Sequence, residues 1–309
     1  LALQHQNTAA ALVALDALGQ IAPRHDLLSP QSPLLRALES PEPRIQFAAA
    51  EAVLQLDPAE PFPGANKVVD ILVRTLNANA DRQSVIIDPN QRRGASVAAM
   101  IAPQGFQSSV AATGKSGFEI AATHGNVELA MVHLNTIQWE LTQTLANLRA
   151  DPRTKSIPIA VYGPPGLRAA TYAKLRPYQL VAYLDDAGDP GLMRDQLQPL
   201  LQRRPVPELT DAQREAMIAS AAYWLRHIAS GQRTRLFPLE SAEEALFASV
   251  DRPAVTRDVL IAAGAIGRPS VQQKFATVAL SPQRPRDTRL VAYAQLAFHL
   301  QRYGRMLDQ

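Results

Sequence analysis

Between residues 82 and 204 the chain alternates short apolar runs with helical segments five times, and few folds accept that pattern. The runs are Ser84-Val85-Ile86-Ile87-Asp88, Phe106 to Ala111, Leu129 to Leu134, Ile157 to Tyr162 and Val181 to Leu184. Helical spacing fills Gln91 to Ala102, Lys115 to Thr123, Trp139 to Ala150, Leu167 to Leu175 and Gly191 to Leu201. Short apolar runs without polar alternation read as strands buried on both faces. When each is followed by a helix, the strands lie parallel and the helices cover the sheet on both sides. The segment 82–204 is therefore predicted to be an α/β domain on a five-stranded parallel sheet.

The flanks, 1–80 and 206–309, have helical periodicity throughout. Ala11, Leu12, Leu15 and Leu18 recur at helical spacing, with Gly19 as the expected stop. Helices are expected at Pro33 to Leu38, Ile45 to Leu56 and Lys67 to Asn77, the last with Val68, Leu72 and Leu76 on one face. Beyond the α/β segment they are expected at Asp211 to Ser230 with Thr210 as N-cap, Ser241 to Val250, Pro253 to Ala263 and Thr288 to Arg302. A Pro- and Arg-rich turn precedes an Ala-rich helix at Ser40-Pro41-Glu42-Pro43-Arg44 and again at Ser281-Pro282 and Pro285-Arg286. These stretches resemble HEAT-type helical repeats and bacterial proteins built from them. Such helix pairs stack because one pair cannot bury its own apolar face. With joins as short as those at Ala80 and Pro205, the flanking helices are expected to pack on each other or on the α/β domain.

Composition excludes several chemistries. The 309 residues contain no cysteine, which removes disulfides, thiolate metal sites and cysteine nucleophiles. Twenty-four prolines are too many for one unbroken bundle. The net charge is only +3, and the basic pairs Arg92-Arg93 and Arg203-Arg204 extend into no run, so they read as solvated helix ends and no nucleic-acid partner is expected. No apolar run is long enough to span a bilayer. The chain begins at Leu1, inside an expected helix, and reads as a piece of a longer chain whose targeting signal would lie outside it. Its compartment is left open, with the cytoplasm as the default.

The order and spacing of the α/β segments resemble the response-regulator receiver family. The residues that carry the resemblance are Val85-Ile86-Ile87-Asp88-Pro89-Asn90, Gly105-Phe106, Ala111-Ala112-Thr113-Gly114, Leu129-Ala130-Met131-Val132-His133, Leu148 to Thr154, Ile157-Pro158-Ile159-Ala160 and Val181-Ala182-Tyr183-Leu184. The resemblance implies a flavodoxin-like sheet of order 2-1-3-4-5. It also implies a pocket at the strand C-terminal ends, where an acidic pair holds Mg²⁺, an aspartate attacks phosphorus, and a hydroxyl and a lysine stabilise the transferred group.

This sequence departs from that pattern. The first strand leads into Asp88-Pro89-Asn90, so proline stands for one acid. His133 stands at the nucleophile position, Tyr162 or Gly163 at the hydroxyl position and Asp186 at the lysine position. Asp88, Asn90, His133, Gly163 and Asp186 are thus the remains of a phosphoacceptor pocket. Without a carboxylate nucleophile no acyl phosphate forms. His133 as a new phosphoacceptor would need a nearby cation, and Asp186 is an anion. Asp88, His133 and Asp186 could converge as metal ligands, but a degenerate pocket with a polar histidine at its rim is the simpler reading, and no cofactor or metal is predicted.

Other motifs fall away. Ala112-Thr113-Gly114-Lys115-Ser116 lacks the upstream glycine of a phosphate loop, since Ser109 stands there. Trp139 and Trp224 read as core residues, with interface anchors as the alternative. The leading expectation is a non-enzymatic protein-interaction scaffold: a pseudo-receiver insensitive to phosphorylation, flanked by HEAT-like helices, able to form a homodimer. Tyr172, Tyr183 and Leu184 are its candidate interaction surface. A phosphorelay regulator with an unorthodox switch, and an enzyme with its site on the helical part, are the alternatives.

Overall fold

The elements follow from the sequence in order. In this computed structural model all residues are described except 1, 4, 6, 30, 79–81, 125–126, 204–208, 232 and 307–309. The expected joins at Ala80 and Pro205, and Arg204 of the second basic pair, lie outside the described residues. The first four helices are α1 (Thr8–Ile21), α2 (Pro33–Leu38), α3 (Pro43–Gln55) and α4 (Ala65–Leu76). The α/β segment runs β1 (Arg82–Ile87), α5 (Gln91–Ile101), β2 (Phe106–Ala111), α6 (Gly114–Thr123), β3 (Val127–His133), α7 (Leu141–Ala150), β4 (Ile159–Gly163), α8 (Arg168–Leu175), β5 (Val181–Asp185) and α9 (Pro190–Gln202). The remaining helices are α10 (Asp211–Ser230), α11 (Glu243–Ala248), α12 (Thr256–Ala263), α13 (Pro269–Leu280) and α14 (Arg286–Tyr303).

Two compact units result, one of Leu1–Ser40, Arg44–Ala78 and Ala212–Gln309, the other of Pro41–Pro43 and Asn79–Asp211. The sequence counts three segments, but the two helical flanks share one core. Phe62 meets Phe237 edge to face at 6.1 Å. Arg233 chelates Asp57 at 2.8 and 2.7 Å, and the Trp224 indole donates to Glu51 at 3.2 Å. In each case the partners come from opposite ends of the chain, so chain ends carry this unit's cohesion.

Two readings of the helical part are corrected. Gly19 does not stop α1; it lies inside the helix, where an added Cβ would stand 2.8 Å from Ala52 Cα. Its small size lets α1 approach α3, and the helix ends instead before Pro23, whose ring cannot continue it. Helix α13 was not foreseen. Its signals are Pro269 at the first turn and the buried Val271, Phe275 and Val278 at helical spacing.

In the other unit every strand pair is parallel and the order is β2-β1-β3-β4-β5, the flavodoxin-like arrangement. Alternate residues of the buried strands feed two cores. Val85, Ile87, Ala130, Val132, Ile159 and Val161 face one helical layer, while Ile86, Leu129, Met131, Ala160 and Tyr162 face the other. Connections leave β1 towards one edge and β3 towards the other, so a crevice opens at the C-terminal ends of those two strands, where such sheets place their ligands.

Candidate functional site

That crevice is where Asp88 and His133 emerge. Asp88 follows β1 directly, and its N–H still donates to Ala111 O at 2.9 Å, which fixes the residue at the sheet mouth. Its carboxylate is fully buried. It accepts two bonds from Arg93, Nε to Oδ2 and Nη2 to Oδ1, both at 2.7 Å. It accepts a third from the Tyr162 hydroxyl at 2.5 Å and a fourth from the Asn90 N–H at 2.8 Å. Burial alone would raise the Asp88 pKa; the Arg93 guanidinium, the Tyr162 hydroxyl and the Asn90 N–H outweigh it and hold the carboxyl below its usual range. Burial, and then the bond to Asp88, push the Tyr162 phenol well above its ordinary value. Asp88 also raises Arg93.

Arg93 reaches Asp88 because Asn90 caps α5. The Asn90 side chain accepts from the N–H groups of Arg92 and Arg93 at 3.1 and 3.2 Å, which starts the helix and turns its first-turn arginine back over the strand end. Asn90 is thus occupied in capping. Arg93, read from sequence as a solvated helix end, is instead the internal counter-ion of Asp88; Arg92 beside it is exposed.

His133 ends β3 opposite Tyr162 and is almost fully buried. Its Nδ1 accepts the Asn135 N–H at 3.2 Å, and its ring meets Tyr162 edge-on with centroids 5.3 Å apart. Burial lowers its pKa, Arg93 lowers it further, and Asp88 and Asp186 oppose. The ring is therefore neutral at pH 7, with its proton on Nε2. Gly163 ends β4, and an added Cβ would stand 1.9 Å from Leu134 Cδ2. The space a hydroxyl-bearing side chain would need at Gly163 is filled by Leu134. Asp186 lies just beyond β5 and is exposed; its N–H donates to Gly163 O at 2.9 Å. Its neighbour Asp185 pairs with Arg168 at 3.1 and 2.7 Å.

The structure thus brings Asp88, His133, Tyr162 and Gly163 to one mouth with Asp186 at its rim, and adds Arg93 and Leu134, which sequence reasoning missed. The mouth is a shallow depression lined by Pro89, Asn90, Gln91, Arg92, Arg93, His133 and Asn135. Among the described residues no three His, Cys, Asp or Glu side chains come together as a metal-ligand group. Thr113 and Ser116 form a reciprocal capping box at α6, so that turn's polar groups serve the helix start.

The candidate interaction surface is corrected in two of its three members. Leu184 lies in the core, and Tyr183 is buried with its hydroxyl donating to Pro164 O at 2.8 Å. Tyr172 alone is a surface residue, 60 % exposed on α8. Both tryptophans make internal contacts: Trp139 meets Phe118 at 5.6 Å, and Trp224 bonds Glu51. No helix among the described residues is long and apolar enough to cross a membrane.

No family model matches the sequence, and no curated protein matches it. Among solved structures, the chain is similar to the receiver domain of a sensor histidine kinase from Pseudomonas aeruginosa, solved with a magnesium ion coordinated in its active-site cleft. The identity is 16 %, the TM-score 0.34, and the match covers 40 % of this chain and 97 % of that one. The fold assignment rests on the strand order and register of this chain itself.

Proposed function

We propose that this chain is a non-catalytic protein-interaction module whose receiver-like unit acts without phosphorylation, carried by helices that resemble HEAT repeats. The observation that supports this most is the closed polar cluster at the mouth: Asp88 held by Arg93 and Tyr162. Arg93 brings the positive charge that a metal ion would otherwise bring, and both carboxylate oxygens are already in strong hydrogen bonds. A divalent cation would have to displace a bidentate guanidinium. His133 is neutral and buried, and Asp186 adds negative charge where an anionic donor would approach. On α8 the exposed Tyr172, with Ala169 and Ala173 beside it and the exposed Arg168 and Arg176 one turn to either side, is the surface offered to a partner.

The test is intact-mass spectrometry of the full chain after incubation with acetyl phosphate and Mg²⁺. The expected result is no stoichiometric phosphoryl adduct. An adduct at Asp88 or His133 would overturn the reading in favour of a phosphorelay regulator.

A further inference from the structure

Three helices of the α/β unit end where β4 and β5 begin, and the side chains gathered there are basic. The two strands start side by side, Ile159 opposite Val181, so the loops that feed them, 151–158 and 176–180, adjoin. Arg149, in the last turn of α7, donates Nε to Gln179 O and Nη2 to Leu180 O, both at 3.1 Å. Arg203, just past α9, donates Nη2 to Val181 O at 3.2 Å. The two guanidinium groups bracket three consecutive carbonyls and meet no carboxylate among the described residues. Between them Leu180 is held at φ +51°, a left-handed conformation that leucine rarely takes. The Nη1 of Arg149 has no hydrogen-bond partner, and burial pushes its pKa down to about 10. Lys155 in the first loop, Lys174 in the last turn of α8 and Arg176 just beyond it are all exposed, and none has an ion-pair partner among the described residues. The acids of the surrounding elements are matched: Asp151 by Arg153, Glu128 by Arg82, Glu119 by Lys115 and Asp195 by Arg194. Arg149, Lys155, Lys174, Arg176 and Arg203 therefore stay unmatched. Helix C-termini attract cations, but each brings only roughly half a negative charge, so the three that end here leave a positive excess.

We propose that this basic end docks an acidic segment of a partner protein, whose carboxylates meet Lys155, Lys174 and Arg176 beside the guanidinium groups of Arg149 and Arg203. The proposal rests on the reading of the chain as a protein-interaction module and names the partner's chemistry. It also extends the Tyr172 surface, since Arg176 lies one turn beyond Tyr172 on α8. Carboxylates suit this end better than a nucleic-acid backbone does. The net charge of the chain is only +3, so a long polyanion gains little beyond the patch itself. A short acidic segment stays within the roughly 8 Å over which exposed charges act at physiological salt. The cations also stand at the ends of separate elements, with no row along one helix or groove, a layout that a flexible peptide follows and a regular phosphate backbone does not.

The experiment is fluorescence anisotropy of a fluorescein-labelled oligoglutamate of about ten residues, titrated with the full chain to about 300 µM at about 50 mM and about 200 mM salt. The wild-type chain is expected to bind the peptide, and to bind it less tightly at the higher salt. Lys155→Glu with Arg176→Glu should weaken binding at least tenfold. Circular dichroism and Tm should stay unchanged, because both side chains are exposed. Arg257→Glu with Arg286→Glu makes the same change in net charge at exposed first-turn positions of α12 and α14, and should leave the affinity within about twofold. No binding by the wild type, an unchanged affinity in the first variant or an equal loss in the second overturns the proposal. So does an oligothymidylate of equal length that binds more tightly than the peptide, since phosphates would then be the occupant. A phosphoryl adduct at the sheet mouth would change the reading of the receiver-like unit and leave these titrations as they are.

Discussion

Replacing Arg93 by alanine isolates the contact on which the reading of the sheet mouth depends. The substitution deletes two charge-assisted bonds of 2.7 Å and leaves the Asp88 carboxylate with only the Tyr162 hydroxyl and the Asn90 N–H. Removing one partner of a fully buried ion pair costs about 3–5 kcal/mol. The Asp88 side chain is 0 % exposed, but that of Arg93 is 38 % exposed, so solvent already screens part of the pair. The lower end, about 3 kcal/mol, is the appropriate figure. For a unit of this size that lowers Tm by roughly 10 °C.

The pH dependence should also reverse. In the wild type the Asp88 pKa lies below its unfolded value of about 3.9. Its contribution is therefore fully present above that value and is lost only as pH falls through the folded pKa. Without Arg93, burial dominates and the folded pKa rises above the unfolded one. The variant should then be least stable at pH 8 and recover as acid protonates Asp88. Urea unfolding followed by far-ultraviolet circular dichroism at pH 8 and pH 5 reads both effects. A variant within about 0.5 kcal/mol of wild type at pH 8, or one with the wild-type pH slope, would refute the argument.

Two further outcomes follow from local geometry. Gly163→Ser should lose about 1–3 kcal/mol by overpacking against Leu134, and Leu134→Ala added to it should recover part of the loss; thermal melts of the single and double variants check this. Glu51 has its pKa raised, first by burial and then by Asp16, against the bonds it accepts from Ser220 and Trp224. A raised folded pKa means that its ionised form weakens the fold as pH rises, so Glu51→Gln should melt at the same or a higher temperature at pH 7, with the difference shrinking towards pH 5. A lower melting temperature at pH 7 would count against it.

The strands were legible because their signal is local. Val85-Ile86-Ile87 or Ile159-Ala160-Val161 hides both faces inside a covered parallel sheet, and the helical segment that follows each run singles out that fold. Most helices were legible for the same reason, in their spacing and their prolines. Gly19 misled because glycine has two uses, ending a helix and admitting a neighbour, and the neighbour Ala52 belongs to another helix. Helix α13 is marked locally as well, by Pro269 in its first turn and by the Val271, Phe275, Val278 spacing.

The site divides along the same line. The sequence alone determined which side chains stand at the strand ends, since Pro89, His133 and Asp186 are identities at positions that strand order places. Only the tertiary structure decided what surrounds them. Tyr162 lies seventy-four positions from Asp88 along the chain, and the two meet because β1 and β4 flank β3 in one sheet. Arg93 is near Asp88 in sequence, yet an arginine in a first helical turn points to solvent or back over the strand according to where the cap places it, and Asn90 places it over Asp88. Burial then sets the strength of that contact, because an unpaired carboxylate costs little in water and several kcal/mol inside a protein, and burial belongs to the assembled sheet rather than to any segment of it.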